Sequence, residues 1–532
     1  MAKGFVILML HAHLPFVRHP EDEGLLEERW FFEALTECYL PLLSVLEGLQ
    51  RDGIPSGLTI SFSPTLLAML ADDWVRARYR RHLQKLLRLA EREVARTRGD
   101  DRFAPVVAMY RDRLLTLEQL YNRHHGRLVE AFGRLQETRQ IEIITCAATH
   151  GFLPVLGVQP AAVEAQVRIG LQSYRQHFGR DPEGFWLPEC GYSAGLDRVL
   201  ARHGIRYFLA ESHGLLYARP APRYAVYAPA RTPAGVQVLA RDPESSRQVW
   251  SAREGYPGDY YYREFYRDIG YDLDYSYIRP YVHYQGIRVD TGFKYYRVTG
   301  PTVHKEPYDR GTALATAGRH AANFMFNRER QIEYLAAAMD RPPVVVAPYD
   351  AELFGHWWFE GPEWLDLAIR KSRHDQNVFD LITPGEYLRR YPAAEVVSPN
   401  PSSWGEGGYS GVWLDGANHW IYRHLYQALR RMAQLAAEHP QAQGVLRRAL
   451  NQAARELLLA QASDWPFIMK TGTTVEYATR RFLSHLGRFT RIYEGIRGAD
   501  LDLSWLGSVE KVDNIFPELD YSVFAEGGAP TA

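Results

Sequence analysis

At 532 residues, with 46% hydrophobic and 23% charged side chains, the chain has the composition of a globular protein and the length for two or three domains. Its 62 Lys and Arg are balanced by 63 Asp and Glu, a formal net charge of −1, which excludes a global field that would draw in nucleic acid or an anionic membrane and favours a neutral partner. Three widely spaced cysteines, Cys38, Cys146 and Cys190, exclude a disulfide framework, and no run reaches the roughly 18 apolar residues of a membrane span.

Short apolar runs alternate with longer helical patterns, the mark of βα units around a parallel sheet. The first run, residues 4–10, is too short for a secretory leader and ends on His11 and His13, so a cytoplasmic monomer is expected. A second strand is expected at 58–62, followed by a Leu-, Arg- and Glu-rich stretch, 64–138, that is too long for an ordinary connection and reads as a helical insertion. The next strands are expected at 140–147, ending near Thr149 and His150; at 184–188, ending on Glu189; at 205–210, ending on Glu211 and His213; and at 236–240. Residues 241–302 then become rich in Tyr and Gly around Tyr256-Pro257-Gly258-Asp259-Tyr260-Tyr261-Tyr262, and such a long aromatic loop suits an element covering substrate. A seventh strand, 343–347, leads to Asp350 and Glu352, and 378–382 is a shorter eighth candidate.

Seven strands predict an α/β fold, an incomplete (β/α)7 TIM-like barrel over residues 1–390. Beyond about Tyr391 a Pro-, Ser- and Gly-rich connector introduces amphipathic patterns at 417–438, 442–463 and 474–496, so residues 391–532 are expected to form an all-α domain with a frayed end at 527–532.

Strand C-termini in a parallel barrel converge on one mouth, which gathers the polar residues at those ends into one candidate site. Glu189 and Asp350 stand out because each follows an apolar run and a Pro, and each precedes Gly and aromatics. A desolvated pair of carboxylates suits glycosidic bond cleavage, where one protonates the leaving oxygen and the other meets the charge developing on the sugar. The aromatic content of 13%, with 33 Tyr and 12 Trp, suits stacking on sugar rings.

Five segments carry a resemblance to a known family: His11-Ala12-His13-Leu14-Pro15, Thr149-His150-Gly151, Trp186 to Tyr192, Ala347 to Trp358, and Ser463-Asp464-Trp465-Pro466-Phe467. In order and spacing they resemble the signatures of glycoside hydrolase family 57, above all its α-1,4-glucan branching enzymes. The resemblance implies a retaining mechanism with Glu189 as nucleophile and Asp350 as general acid/base, α-glucan as donor and acceptor, and no cofactor or metal. It further implies that His11, His13 and His150 line the subsite of the attacked sugar, that Trp404, Trp413 and Asp464 carry the C-terminal domain into the cleft, and that Arg263 contacts substrate. A loop Tyr that excludes water is implied as well, with Tyr217, Tyr224 and Tyr227 all in range. Within the family a 4-α-glucanotransferase or an α-amylase is the alternative. From other classes there remain a zinc hydrolase using His11, His13, His150 or His213, and a glucan-binding protein without catalysis.

Overall fold

The computed structural model describes residues 2–21, 25–251, 254–283, 285–393 and 395–525. The expectation of a frayed end at 527–532 lies outside the described residues. Nine strands form one sheet: β1 (Gly4–Ala12), β2 (Leu58–Phe62), β3 (Ile141–Cys146), β4 (Gly184–Trp186), β5 (Tyr207–Ala210), β6 (Ala230–Arg231), β7 (Gln237–Ala240), β8 (Val344–Asp350) and β9 (Phe379–Leu381). Their order is β6-β7-β5-β4-β3-β2-β1-β8, with β9 also paired to β1. The seven strands expected from the apolar runs are all present and parallel, the eighth candidate is β9, and β6 is a short antiparallel addition at the edge.

Every residue of β1 is buried, as both faces of a parallel strand are when helices or neighbouring strands cover them. Among the described residues no ladder joins β7 to β8. The gap is bridged by single bonds, from the Asp242 amide to the Val346 carbonyl at 2.8 Å and from the Val344 amide to the Tyr227 carbonyl at 2.9 Å, so the barrel is open on that side. The open edge explains why β8 runs through Pro348 to Asp350, past the expected end at residue 347. A strand at an edge tolerates a residue that cannot donate to a ladder.

The insertion after β2 consists of helices Pro64–Ala71, Asp73–Arg96, Ala104–Arg123 and Leu128–Glu137. Ser63 and Asp72 cap the first two, each accepting from a first-turn amide. The last part of the chain contributes helices Trp420–Glu438, Gly444–Ala460, Asp464–Thr471, Val475–Gly498 and Leu503–Val512. Bridges from Gly151 to Ala462 and from Tyr192 to Ser402 stitch this region to the loops after β3 and β4. No helix among the described residues is long and apolar enough to cross a membrane.

One local irregularity sits behind the site. Residues Leu35–Tyr39 form a π-helical turn inside an otherwise α-helical stretch, which brings Glu37 and Tyr39 against the segment after β8. Gly355, with φ +114°, lies directly on the Glu37 carbonyl, and any Cβ there would collide with that backbone atom. Gly355→Ala is therefore expected to destabilise the protein by about 2–4 kcal/mol, from positive-φ strain together with overpacking. Urea unfolding checks this; an unchanged midpoint would show that the contact is not tight.

Candidate active site

The strand ends set the first layer of the site. The register places His11 beside Asp350 on one side and beside Ser61 on the other. Glu189 follows β4 in a tight turn, Pro188–Cys190, where Glu189 (φ +61°) and Cys190 (φ +50°) both take the left-handed conformation. His150, after β3, also has positive φ, at +58°. Non-glycine residues pay for that conformation, and it persists here because the surroundings over-determine it.

A single chain of hydrogen bonds runs through these residues. Ser61 Oγ lies 3.2 Å from His11 Nδ1, His11 Nε2 lies 2.8 Å from His150 Nε2, His150 Nδ1 lies 2.8 Å from Ser463 Oγ, and Ser463 Oγ lies 2.8 Å from Glu189 Oε1. The direction follows from the acceptor at its end. An ionised Glu189 can only accept, so the Ser463 hydroxyl donates to it and must accept from His150 Nδ1–H. His150 Nε2 then accepts from His11 Nε2–H, and His11 Nδ1 accepts from Ser61. Both rings are neutral in this arrangement, and burial lowers both imidazoles well below their usual pKa, with the His13 charge adding to the effect. His11 also stacks on Trp186, with ring centroids 4.6 Å apart and planes within 3°.

The other Glu189 oxygen accepts from Trp404 Nε1 at 2.8 Å, and the Trp404 amide donates to the Glu189 carbonyl at 2.9 Å. His13 stacks on His150 at 3.8 Å and holds Asp464 at 3.2 Å from both carboxylate oxygens. Burial disfavours the charged form of His13, but Asp464 and the more distant Glu189 and Glu352 outweigh it and raise its pKa.

The two strand-end carboxylates have different surroundings. Burial raises the Glu189 pKa, and the Trp404 and Ser463 donors pull it back. Burial raises that of Asp350 much further, with the Glu352 and Glu189 charges adding to the rise and only Arg241 opposing it. Glu352 is itself held in place from both sides: the Tyr39 hydroxyl and the His13 amide both donate to its Oε1. Glu189 is thus supplied with donors while the Asp350 carboxyl is pushed towards its neutral form, a separation that suits two carboxyl groups with different tasks.

Of the residues expected in the site, His11, His13, His150, Glu189, Asp350, Trp404 and Asp464 are gathered at one mouth. Trp413 and Arg263 stand apart from it. Trp413 is buried, stacked on Phe152 at 4.6 Å, with Gly405 closing on its ring, so it props the Trp404 loop from beneath. Arg263 is buried over the Phe359 ring, 4.3 Å from its centroid, and donates to the His356 carbonyl at 3.3 Å. Tyr217 is exposed after the short helix Ser212–Leu216, while Tyr224 and Tyr227 lie further along the same loop. Ser61, Ser463, Tyr39 and Trp186 belong to the constellation without having been singled out. Only Ser463 and Trp186 carried a signal, each lying inside a motif read for its neighbour.

Among the described residues two groups of three could hold a metal ion: His11, Cys146 and His150, and Glu456, His485 and Asp513. In the first, the two imidazole nitrogens already hydrogen-bond each other, and burial pushes the Cys146 thiol well up, away from the thiolate a metal wants. In the second, Arg488 pairs with Asp513 and Arg481 stands 3.9 Å from it, so two fixed cations occupy the field. Neither donor set fits a cation well.

The sequence profile of glycosyl hydrolase family 57 matches residues 7–399, and that described as 1,4-alpha-glucan branching enzyme, C-terminal, matches residues 424–524. A 1,4-alpha-glucan branching enzyme of Thermococcus kodakarensis is 32% identical over 97% of this chain and 77% of its own length. Among solved structures, a GH57-type branching enzyme from Pyrococcus horikoshii superimposes with a TM-score of 0.88 at 32% identity, covering 99% of this chain and 98% of the other. An α-amylase from Thermotoga maritima superimposes with a TM-score of 0.93 at 41% identity, covering 99% and 100%. With nearly three quarters of its residues inside the catalytic profile and the fold matched end to end, the chain belongs to glycosyl hydrolase family 57.

Proposed function

We propose that the protein is a retaining 1,4-α-glucan branching enzyme, on the strength of one observation above the others. A donor-supplied carboxylate, Glu189, and a carboxyl whose pKa is pushed well up, Asp350, share a mouth to which the C-terminal region contributes Trp404 and Ser463. Glu189 attacks the anomeric carbon of an α-1,4-linked glucan while Asp350 gives its proton to the departing oxygen, leaving a glycosyl ester on Glu189. Asp350, now ionised, takes the proton from the 6-hydroxyl of an acceptor glucan. That oxygen attacks the anomeric carbon, the ester bond breaks, and an α-1,6 branch is formed. His11 and His150 hold Glu189 through Ser463, Trp404 fixes its second oxygen, and His13 with Asp464 lines the subsite of the attacked sugar. On this reading residues 1–390, with the insertion at 64–138 and the aromatic region at 241–302, form the catalytic unit. Residues 391–532 close the cleft, and the protein works as a cytoplasmic monomer, consistent with three buried free cysteines.

The likeness to an α-amylase favours a second reading, in which water takes the place of the acceptor hydroxyl. The donor half of the cycle is the same in both, so the products decide between them. Amylose incubated with the protein and then treated with a debranching enzyme is expected to release short chains. Reducing sugar without any α-1,6 linkage would establish the hydrolase.

Glu189→Gln and Asp350→Asn are each expected to lower turnover by roughly 10²–10⁴-fold or more with unchanged melting behaviour, and near-normal rates in either would remove that residue from the chemistry. The pH profile carries a separate test. Asp350 must begin protonated, so activity falls as pH rises through its elevated pKa. The Glu352 charge helps hold that pKa up, and Glu352→Gln should therefore move the alkaline limb of kcat/KM to lower pH. An alkaline limb that stays in place would mean that Glu352 does not tune the acid.

A further inference from the structure

Beyond Asp350 lies a cavity of about 840 Å³ that no step assigned above uses. Its walls come from the loops after the two strands that flank the open side of the barrel. The β7 side contributes Trp250, at the end of helix Pro243–Trp250, and the β8 side contributes Leu353 and Trp357, within the turns that follow Asp350. The volume lies in the range of ligand clefts, roughly 300–1,000 Å³, and the lining has the mixed character of a sugar site. The Trp250 and Trp357 rings meet edge to face at 5.8 Å, and both remain 43% exposed. Tyr266, on the rim, is 83% exposed.

The wall of the groove is polar as well as aromatic: Lys305 and Glu264 pair across it at 3.0 Å, with Arg263 buried behind them, 3.9 Å from Glu37. A ligand that suits such a wall presents flat C–H faces to the indoles and hydroxyls to the polar side, and carries no net charge to be matched. That is a description of a glucan chain.

We propose that this groove binds the acceptor α-glucan. This rests on the transferase reading above and deepens it. The side is fixed by the chemistry. The leaving oxygen departs towards Asp350, and the attacking hydroxyl must give its proton to Asp350, so leaving and arriving chains share the space beyond that residue. Trp404, His13 and Asp464 surround Glu189 on the other side, where the sugar that becomes the ester sits. The indole corner supplies a platform that orients an acceptor and displaces water from the approach to the ester.

The test measures transfer and hydrolysis together. With maltoheptaose as donor and acceptor, chain-length products report transfer and new reducing ends report hydrolysis. Trp357→Ala and Trp250→Ala are each expected to lower the ratio of transfer to hydrolysis about tenfold and to raise the acceptor concentration needed for half-maximal transfer, with Trp357→Phe recovering much of both. Because both indoles are substantially exposed, the variants should fold, and thermal melting checks that. A ratio equal to that of the parent, whether or not total rate falls, would overturn the groove as an acceptor site, as would a parent that makes no transfer products at all. Transfer products that lack α-1,6 linkages but depend on Trp357 would overturn only branching and leave the groove standing.

Discussion

A carboxylate buried at the mouth of a parallel sheet is stable as an anion only if donors reach it, and here they arrive from far along the chain. Trp404 Nε1 and Ser463 Oγ donate to the two oxygens of Glu189 across 215 and 274 residues of sequence. The barrel alone supplies the turn that presents the side chain; the last third of the molecule supplies the donors that oppose the effect of burial. The helical region is thus part of the setting of Glu189 rather than an appendage. This also explains the backbone that carries Glu189, whose φ of +61° would relax if the carboxylate and the carbonyl of the same residue were not both gripped by Trp404.

The histidines extend this control inward. With Glu189 able only to accept, every proton in the Ser61–His11–His150–Ser463 chain has one allowed place, and burial prevents either imidazole from disturbing the order by taking up a charge. His13 lies outside that chain, on the face of His150, and Asp464 raises its pKa where burial lowers those of the other two. Three histidines packed within stacking distance are therefore shifted in different directions, His13 upwards by Asp464 and the other two downwards by burial. Asp350 shows the converse. Burial and the Glu352 and Glu189 charges push its pKa well up, with Arg241 opposing.

Much of the framework was legible because it is local. Seven parallel strands follow from runs of apolar residues whose spacing and boundaries are written in adjacent positions, and Glu189 and Asp350 stand out because such runs stop at a proline just before them. What was hidden is what the fold brings together from a distance. Ser61 is an unremarkable strand residue until β1 places His11 beside it, and Tyr39 gains meaning only when a π-helical turn delivers it to Glu352. Trp413 illustrates the opposite limit. A tryptophan near a cleft suggests stacking on sugar, but its ring lies on Phe152 beneath the Trp404 loop, and composition alone does not distinguish a platform from a prop.

The open side of the barrel ties these observations together. A closed eight-stranded barrel would continue its ladder from β7 to β8, whereas here two single hydrogen bonds span the gap and β8 can carry a proline up to its last residues. The loops leaving those two strands are consequently free to diverge, and the cavity lined by Trp250, Leu353 and Trp357 lies between them. On the acceptor reading proposed above, the missing strand is what makes room for a second glucan chain on the Asp350 side.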